Sequence, residues 1–446
     1  MMGIQKKEIQ NIAQFLSNPK LEIPLFQRPY KWTTKNVIQL IDDVQRFQGD
    51  NPYRIGTIVI YKDEKGNNKI VDGQQRSITF LLITKAIQTK RLQSLNNIPL
   101  KNRIAALTSF VPSFKNEISF KNIQDNYREI ERKIDRVGEA FIDYFYNKCE
   151  ITYFVIDDVS EAFQFFDSQN SRGRDLEPHD LLKAFHLREL EGSENTISEM
   201  EVANLVDTWE DMEIIELATL FADFMYRVRG WSKGNSSRYF TKKDTPLFKG
   251  INLSKIGNDP YTKIYKMADE QIHDKAKNGN ATQFPFQLDQ VIINGSYFFE
   301  MVTHYKNMID TIKSLRNGLS TEAQDIINTL DNYEGKSRTG DKYIRMLFDC
   351  AVLYFMDKFG SVDLSKAIEK IFIWAYTPRL TYQSLQLATV DNYVVKELNF
   401  FRIIRDATYK EDVINYPIPE IREDYESDKT SDLKTMFKKM HYYAVG

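Results

Sequence analysis

Asp72, Gly73, Gln74, Gln75 and Arg76 place a carboxylate, a turn glycine, two amides and a guanidinium in five consecutive positions, with Ser77 next in line. That combination suits an anion. An arginine keeps its charge at any working pH and presents a planar fork of donors to phosphate oxygens. A carboxylate beside it is suited to holding Mg²⁺ through water or to orienting an attacking water, and the two amides to positioning that water or reading a base. Phosphate is the guest these residues fit best. A structural turn, in which Asp72 caps a helix and Arg76 makes a surface ion pair, would use the same residues.

The elements that must position this run are legible on both sides of it. Arg54 to Tyr61 (RIGTIVIY) reads as a β-branched strand, Lys62 to Asn68 as a hairpin turn and Lys69 to Val71 as the return strand. Ile78, Leu81, Leu82 and Ala86 then carry the spacing of a helix with one apolar face. A helix beginning near Gln74 would aim its unpaired N–H groups and the positive end of its dipole at whatever sits over Gly73.

Composition narrows the function classes. The chain has 446 residues, 42% hydrophobic and 27% charged, and fits two or three domains of an ordinary soluble protein. A net charge of −2 and a pI near 6.3 disfavour nonspecific coating of nucleic acid and restrict any such contact to a local groove. Cys149 and Cys350 stand far apart with no second thiol beside either, against a zinc site or disulfide scaffold and in keeping with a reducing compartment. No charged-then-apolar leader occupies Met1 to Gln10 and no apolar run is long enough to span a bilayer, so the expected location is cytoplasmic, without a membrane partner.

Residues 1 to about 190 read as mixed in secondary structure. Ile23 to Trp32 (IPLFQRPYKW) forms an extended arm, because Pro24 and Pro29 each remove a donor and restrict the preceding residue. Thr33 or Thr34 caps a helix through Val37, Leu40, Ile41, Val44 and Phe47. A long packing helix is expected between about Ile123 and Phe145, a buried strand at Ile151 to Ile156, a short helix over 161–166 ended by Asn170 to Gly173, and another helix from Pro178. From about 195 onward helical periodicity dominates, interrupted by the polar stretch Gly230 to Gly250, and the charged end beyond about Tyr416 reads as partly disordered.

Three separated segments together resemble one family. They are Ile23-Pro24 through Gln27-Arg28-Pro29-Tyr30 to Trp32, then Gly56 with Ile70 to Arg76, then Phe166 through Asn170, Arg172, Gly173 and Leu176 into Asp180 to Lys183. This order and spacing resembles the N-terminal domain of GmrSD-type, modification-dependent restriction endonucleases, related to ParB and sulfiredoxin. Ser77-Ile78-Thr79 fits the family's continuation after the arginine, and Gln287 to Tyr305 is similar to a more distal helical segment, extending the resemblance to about residue 310. Glu177 departs from the Ser or Thr that the family uses as a helix cap.

The resemblance implies an α+β fold class: a ParB/sulfiredoxin-like small mixed β-sheet domain with helices over 1–190, followed by a mostly α-helical domain over 191–446. It implies NTP binding and hydrolysis with Mg²⁺, with Asp72, Gln75 and Arg76 as the catalytic set and Asp72 as the metal ligand. Gln27, Arg28, Tyr30, Gly73, Gln74, Ser77, Asn170, Arg172 and Gly173 would form the nucleotide-binding walls, Gly173 allowing close backbone approach. The implied partners are an NTP, foreign and modified DNA, and a nuclease; a homo-oligomer remains open. Many members carry an HNH nuclease module at the C-terminus, which needs a histidine base and closely spaced ligands. Beyond residue 304 the sole histidine is His441, with no ligand pattern around it, so a separate HNH-type subunit is expected to cut.

Other motifs carry less. Asp157-Asp158 reads as an exposed turn, His179 and His186 lack a third metal ligand, and Gly335 to Lys342 has Asp341 where a phosphate loop needs lysine. Arg229, Trp231, Arg238, Tyr239, Lys242 and Lys243 interleave cations with aromatics, as a solvated loop or as a surface for stacking on bases. Two further function classes stay open: a ParB-like DNA-binding module gated by NTP without catalysis, and direct nuclease action through Asp72. Sulfiredoxin-like chemistry lacks a cysteine in the Asp72 to Arg76 turn.

Overall fold

The computed structural model describes residues 4–23, 30–62, 66–107, 117–156, 177–191, 204–205, 207–209, 211–255, 257, 259–277, 285–314, 316, 318–425 and 427–444. The chain divides into two compact units, one of residues 1–192 with 197–211 and one of 193–196 with 212–446. The expectations for Gln27, Arg28, 161–166, Asp157-Asp158 and Asn170, Arg172 and Gly173 fall outside the described residues.

A five-stranded mixed sheet organises the first unit. Its strands are β1 (Ile4–Asn11), β2 (Leu21–Glu22), β3 (Tyr53–Lys62), β4 (Asn68–Asp72) and β5 (Cys149–Ile156), in the order β1-β5-β3-β4-β2. The β1–β5 and β3–β4 pairs are antiparallel, while β3–β5 and β2–β4 are parallel. Around it lie α1 (Ile12–Leu16), α2 (Thr34–Arg46), α3 (Gln74–Lys90), α4 (Ile98–Ala106), α5 (Glu117–Ile134), α6 (Glu139–Asn147) and α7 (Pro178–Glu191). Strand β1 is an edge strand that the lysine-bearing sequence Ile4 to Asn11 did not announce, since Lys6 and Lys7 break the apolar alternation on which strand recognition depends.

One sheet face carries Ile58, Ile60, Ile70, Ile151, Tyr153 and Val155 into a core shared with α1 to α6. On the opposite face Val59, Val71 and Ile156 form a smaller cluster against which Leu181 of α7 packs. α3 is buried on nearly every side, through Gln74, Gln75, Ser77, Ile78, Thr79, Phe80, Ile83, Thr84, Ala86 and Ile87, and not on the single apolar face its spacing suggested. The long helix expected from Ile123 to Phe145 is two helices, broken at Asp135 to Gly138, where Gly138 begins α6 as an extended N-cap.

The second unit is helical, with a few short 3₁₀ and π turns. Two long helices, α8 (Thr339–Phe359) and α9 (Leu364–Thr381), pack along each other, and π-helical turns occupy Leu220–Met225 and Tyr393–Glu397. Within the charged C-terminal end, whose composition suggested partial disorder, Ser431–Lys439 is helical and Ile421 bridges to Tyr443. Leu433 and Phe437 explain this, since both are wholly buried. No described helix is long and apolar enough to cross a membrane.

Candidate functional site

Two irregularities in the sheet set up the turn at Asp72. Between β3 and β4 the register steps from Ile60 opposite Ile70 to Val59 opposite Asp72, so Val71 is the extra residue of a bulge. Between β3 and β5 a second shift falls at Arg54 to Gly56, where Gly56 adopts φ 151°. Arg76 reaches from the first turn of α3 across this second bulge. A Cβ on Gly56 would lie 2.7 Å from the Arg76 guanidinium, which donates to the Thr57 carbonyl at 2.5 Å.

Gly73 then turns the chain into α3 with φ 88° and ψ 10°, a left-handed conformation that a side chain disfavours. Space enforces the same choice, because a Cβ would sit 2.8 Å from Ile58 and 2.9 Å from the Thr57 carbonyl. Gly73 has no side chain with which to cap α3, and no acidic residue occupies its first turn. The start of a 17-residue helix is thereby left without a counter-charge of its own. Asp72 is half-buried, and among the described residues none donates to its carboxylate. Ser77 is buried and turned inward, its hydroxyl donating to the Gly73 carbonyl at 3.0 Å.

Gln75 and Tyr30 join the arm to this turn. The Gln75 side-chain oxygen accepts from the backbone N–H of Lys31 at 2.8 Å and of Trp32 at 3.1 Å, and its Nε2 lies 3.4 Å from the Gln74 side-chain oxygen. Tyr30 is wholly buried, its hydroxyl 2.8 Å from Thr79 Oγ1 and accepting from Asn126 Nδ2 at 3.0 Å. Burial raises the Tyr30 phenol, against the opposing effect of the Thr79 and Asn126 bonds, so it stays protonated. Asp72, Gly73, Gln74, Gln75, Arg76, Ser77 and Tyr30 thus converge on one corner, and Asn126, Asn122, Ser119 and Thr79 support it. Those four supports were missed in the sequence; the available signal was the polar spacing of Ser119, Asn122 and Asn126 along the border of the apolar stripe of α5.

The remaining sequence candidates have structural settings of their own. His179 is buried, and burial lowers its pKa. At the start of α7 the Glu177 N–H donates to Asp180 at 3.3 Å, the half of a capping box that the residue at the third helical position supplies. Asp341, in the near miss to a phosphate loop, is buried beneath the Tyr333 hydroxyl at 2.8 Å. In the cation–aromatic stretch Arg229 and Trp231 belong to the core: Arg229 donates to the Leu288 and Gln290 carbonyls, and Trp231 to Asp391. Arg238 also binds Asp391, at 3.0 Å, leaving Tyr239 as an exposed ring. Among the described residues no group of three His, Cys, Asp or Glu could hold a metal ion.

The corner lies within a recognisable domain. Residues 12–187 match the model of the GmrSD restriction endonuclease, N-terminal domain. Residues 201–432, more than half of the chain, match the model of a family of unknown function, DUF7834, and the chain belongs to that family. The resemblance read as far as residue 310 is therefore bounded more tightly: Gln287 to Tyr305 falls inside the second match. No protein of curated function matches the chain.

Proposed function

We propose that this protein is an NTP-binding and hydrolysing sensor subunit of a GmrSD-like, modification-dependent DNA restriction system, that its first unit is ParB/sulfiredoxin-like, and that a separate HNH-type nuclease does the cutting. The observation that carries this reading is the start of α3, entered through left-handed Gly73 with no acidic residue in its first turn and flanked by the Arg76 guanidinium. Backbone N–H groups, a dipole end and a fixed cation within one turn suit the phosphates of a nucleotide. The match over residues 12–187 supports the restriction context.

Within this reading Arg76 holds phosphate through the donors its bond to Thr57 leaves over, and the first-turn N–H groups share the load. Asp72 is the group suited to Mg²⁺, which takes one or two carboxylates together with phosphate oxygens and water and so does not require a cage of protein ligands. When bound, the ion would neutralise charge on the phosphates. Gln75 positions the arm that carries Gln27 and Arg28, because its side-chain oxygen is occupied by Lys31 and Trp32. That occupation also favours a second reading, an NTP-gated DNA-binding module without turnover, since Gln75 is then less available to orient water.

Phosphate release from each of the four NTPs by the purified chain, with and without modified DNA and with Arg76→Ala as control, separates these readings. Turnover lost in Arg76→Ala supports the sensor; tight binding with no turnover supports the gated module. Absence of both binding and turnover in the natural sequence overturns the nucleotide reading.

A further inference from the structure

Tyr30 to Trp32, outside any helix or strand, is held by side chains of two helices. The Tyr30 N–H donates to Ser119 Oγ at 2.9 Å, and the Tyr30 carbonyl accepts from Asn122 Nδ2 at 2.8 Å. The N–H groups of Lys31 and Trp32 share Gln75, and the Trp32 carbonyl accepts from Asn126 Nδ2 at 2.7 Å. Ser119, Asn122 and Asn126 stand three and four residues apart on α5, hence on one face.

The hydrogens in this cluster can be assigned. Thr79 spends its proton on the Gln75 carbonyl at 2.8 Å, so Tyr30 must donate to Thr79 and accept from Asn126. The chain Asn126 to Tyr30 to Thr79 to Gln75 therefore runs in one direction, from α5 to the first turn of α3. Turning the Asn126 amide over would set its oxygen against the Trp32 carbonyl, so its orientation is fixed. Its Oδ1, completely buried, has no partner. An apolar side chain would avoid that unpaired acceptor, so the amide serves placement more than stability.

We propose that the Ser119–Asn122–Asn126 face of α5 is a clamp that fixes the end of the arm against the first turn of α3, with Asn126 as the positioning residue of the nucleotide site. The assignment of that site rests on the function proposed above; the clamp itself does not. Because the clamp fixes Lys31 and Trp32 against Gln75 in the first turn of α3, where the nucleotide is proposed to bind, loosening it weakens nucleotide binding more than the chemical step.

The test uses the full chain with Asn126→Leu and Tyr30→Phe. Amide hydrogen exchange of Tyr30, Lys31 and Trp32 is expected to quicken about tenfold or more in Asn126→Leu, and less in Tyr30→Phe, which keeps the Trp32 bond, while Ile83 to Ile87 inside α3 exchange as before. KM for the NTP is expected to rise about tenfold with kcat within about twofold. Unchanged exchange at Tyr30 to Trp32 in both variants overturns the clamp. Faster exchange with unchanged KM overturns the positioning role. If the natural chain neither binds nor turns over NTP, the nucleotide reading fails and exchange alone decides the clamp. Should Asn126→Leu not fold, exchange and KM in Tyr30→Phe decide the clamp and the positioning role in the same way.

Discussion

Two polar sites, one in each unit, are built in opposite ways. In the second unit Asp391 is wholly buried and accepts from four donors: the Trp231 indole, the Ser236 hydroxyl, the Ser237 N–H and Arg238. Burial alone would raise its pKa, but these donors outweigh burial and hold it below the usual carboxylate range. Nearby in sequence to Trp231, Arg229 donates through one guanidinium nitrogen to two carbonyls. In the first unit the corner at Asp72 leaves capacity over: a helix start with no acidic residue in its first turn, a carboxylate to which no described residue donates and an arginine bonded to a single carbonyl. A saturated polar group holds a fold together, whereas an unsaturated one beside a rigid turn is available to a ligand.

The contrast breaks most sharply at Asp391. Asp391→Ala strands buried donors and is expected to destabilise the second unit by about 3–5 kcal/mol, measured as a fall in its denaturant midpoint. A loss within experimental error would show that the hub contributes little. Gly73→Ala is expected to cost about 1–3 kcal/mol through its left-handed backbone and its clash with Ile58, with nucleotide affinity falling alongside. A stable variant with natural affinity would contradict the account of the turn.

Asp357 gives a pH-dependent version of the same contrast. Burial raises its pKa to about 7, against the Leu288 N–H and Tyr305 hydroxyl bonds that lower it, with Asp289 adding to the rise. The folded carboxyl therefore holds its proton across a range in which the unfolded one has lost it. The contribution to stability is fully present at low pH and declines as pH rises from about 4 to about 7, by an amount on the order of a few kcal/mol. Asp357→Asn is expected to flatten that decline in thermal melts across the range, and an unaltered slope would assign it to other groups. Arg76→Ala has the smallest expected effect on stability, about 1 kcal/mol, because it loses one hydrogen bond and packing over Gly56.

How much of this was legible in the sequence follows from the range of the interactions. The β3–β4 hairpin, the glycine turn and the start of α3 rest on local rules of β-branching and turn chemistry, and the structure has them at Tyr53–Lys62, Asn68–Asp72 and Gln74–Lys90. Strand β1 was hidden because its pairing with β5 joins residues far apart in the sequence and Lys6, Lys7 and Glu8 interrupt its apolar pattern. The roles of Gln75 and Asn126 were hidden for the same reason: a side-chain amide is equally suited to a substrate and to a distant backbone N–H. Trp231 and Arg229 show the converse, since a cation–aromatic pattern describes a nucleic-acid surface and a buried hub alike until the partner Asp391 is known.

The most direct test is calorimetric titration of the full chain with an NTP and Mg²⁺, comparing the natural sequence with Arg76→Ala at matched folding by thermal melt. The account predicts one saturable site in the natural protein and an affinity at least about tenfold weaker in the variant, with both proteins folded. Saturable binding that Arg76→Ala leaves unchanged would contradict the placement of the site at the first turn of α3.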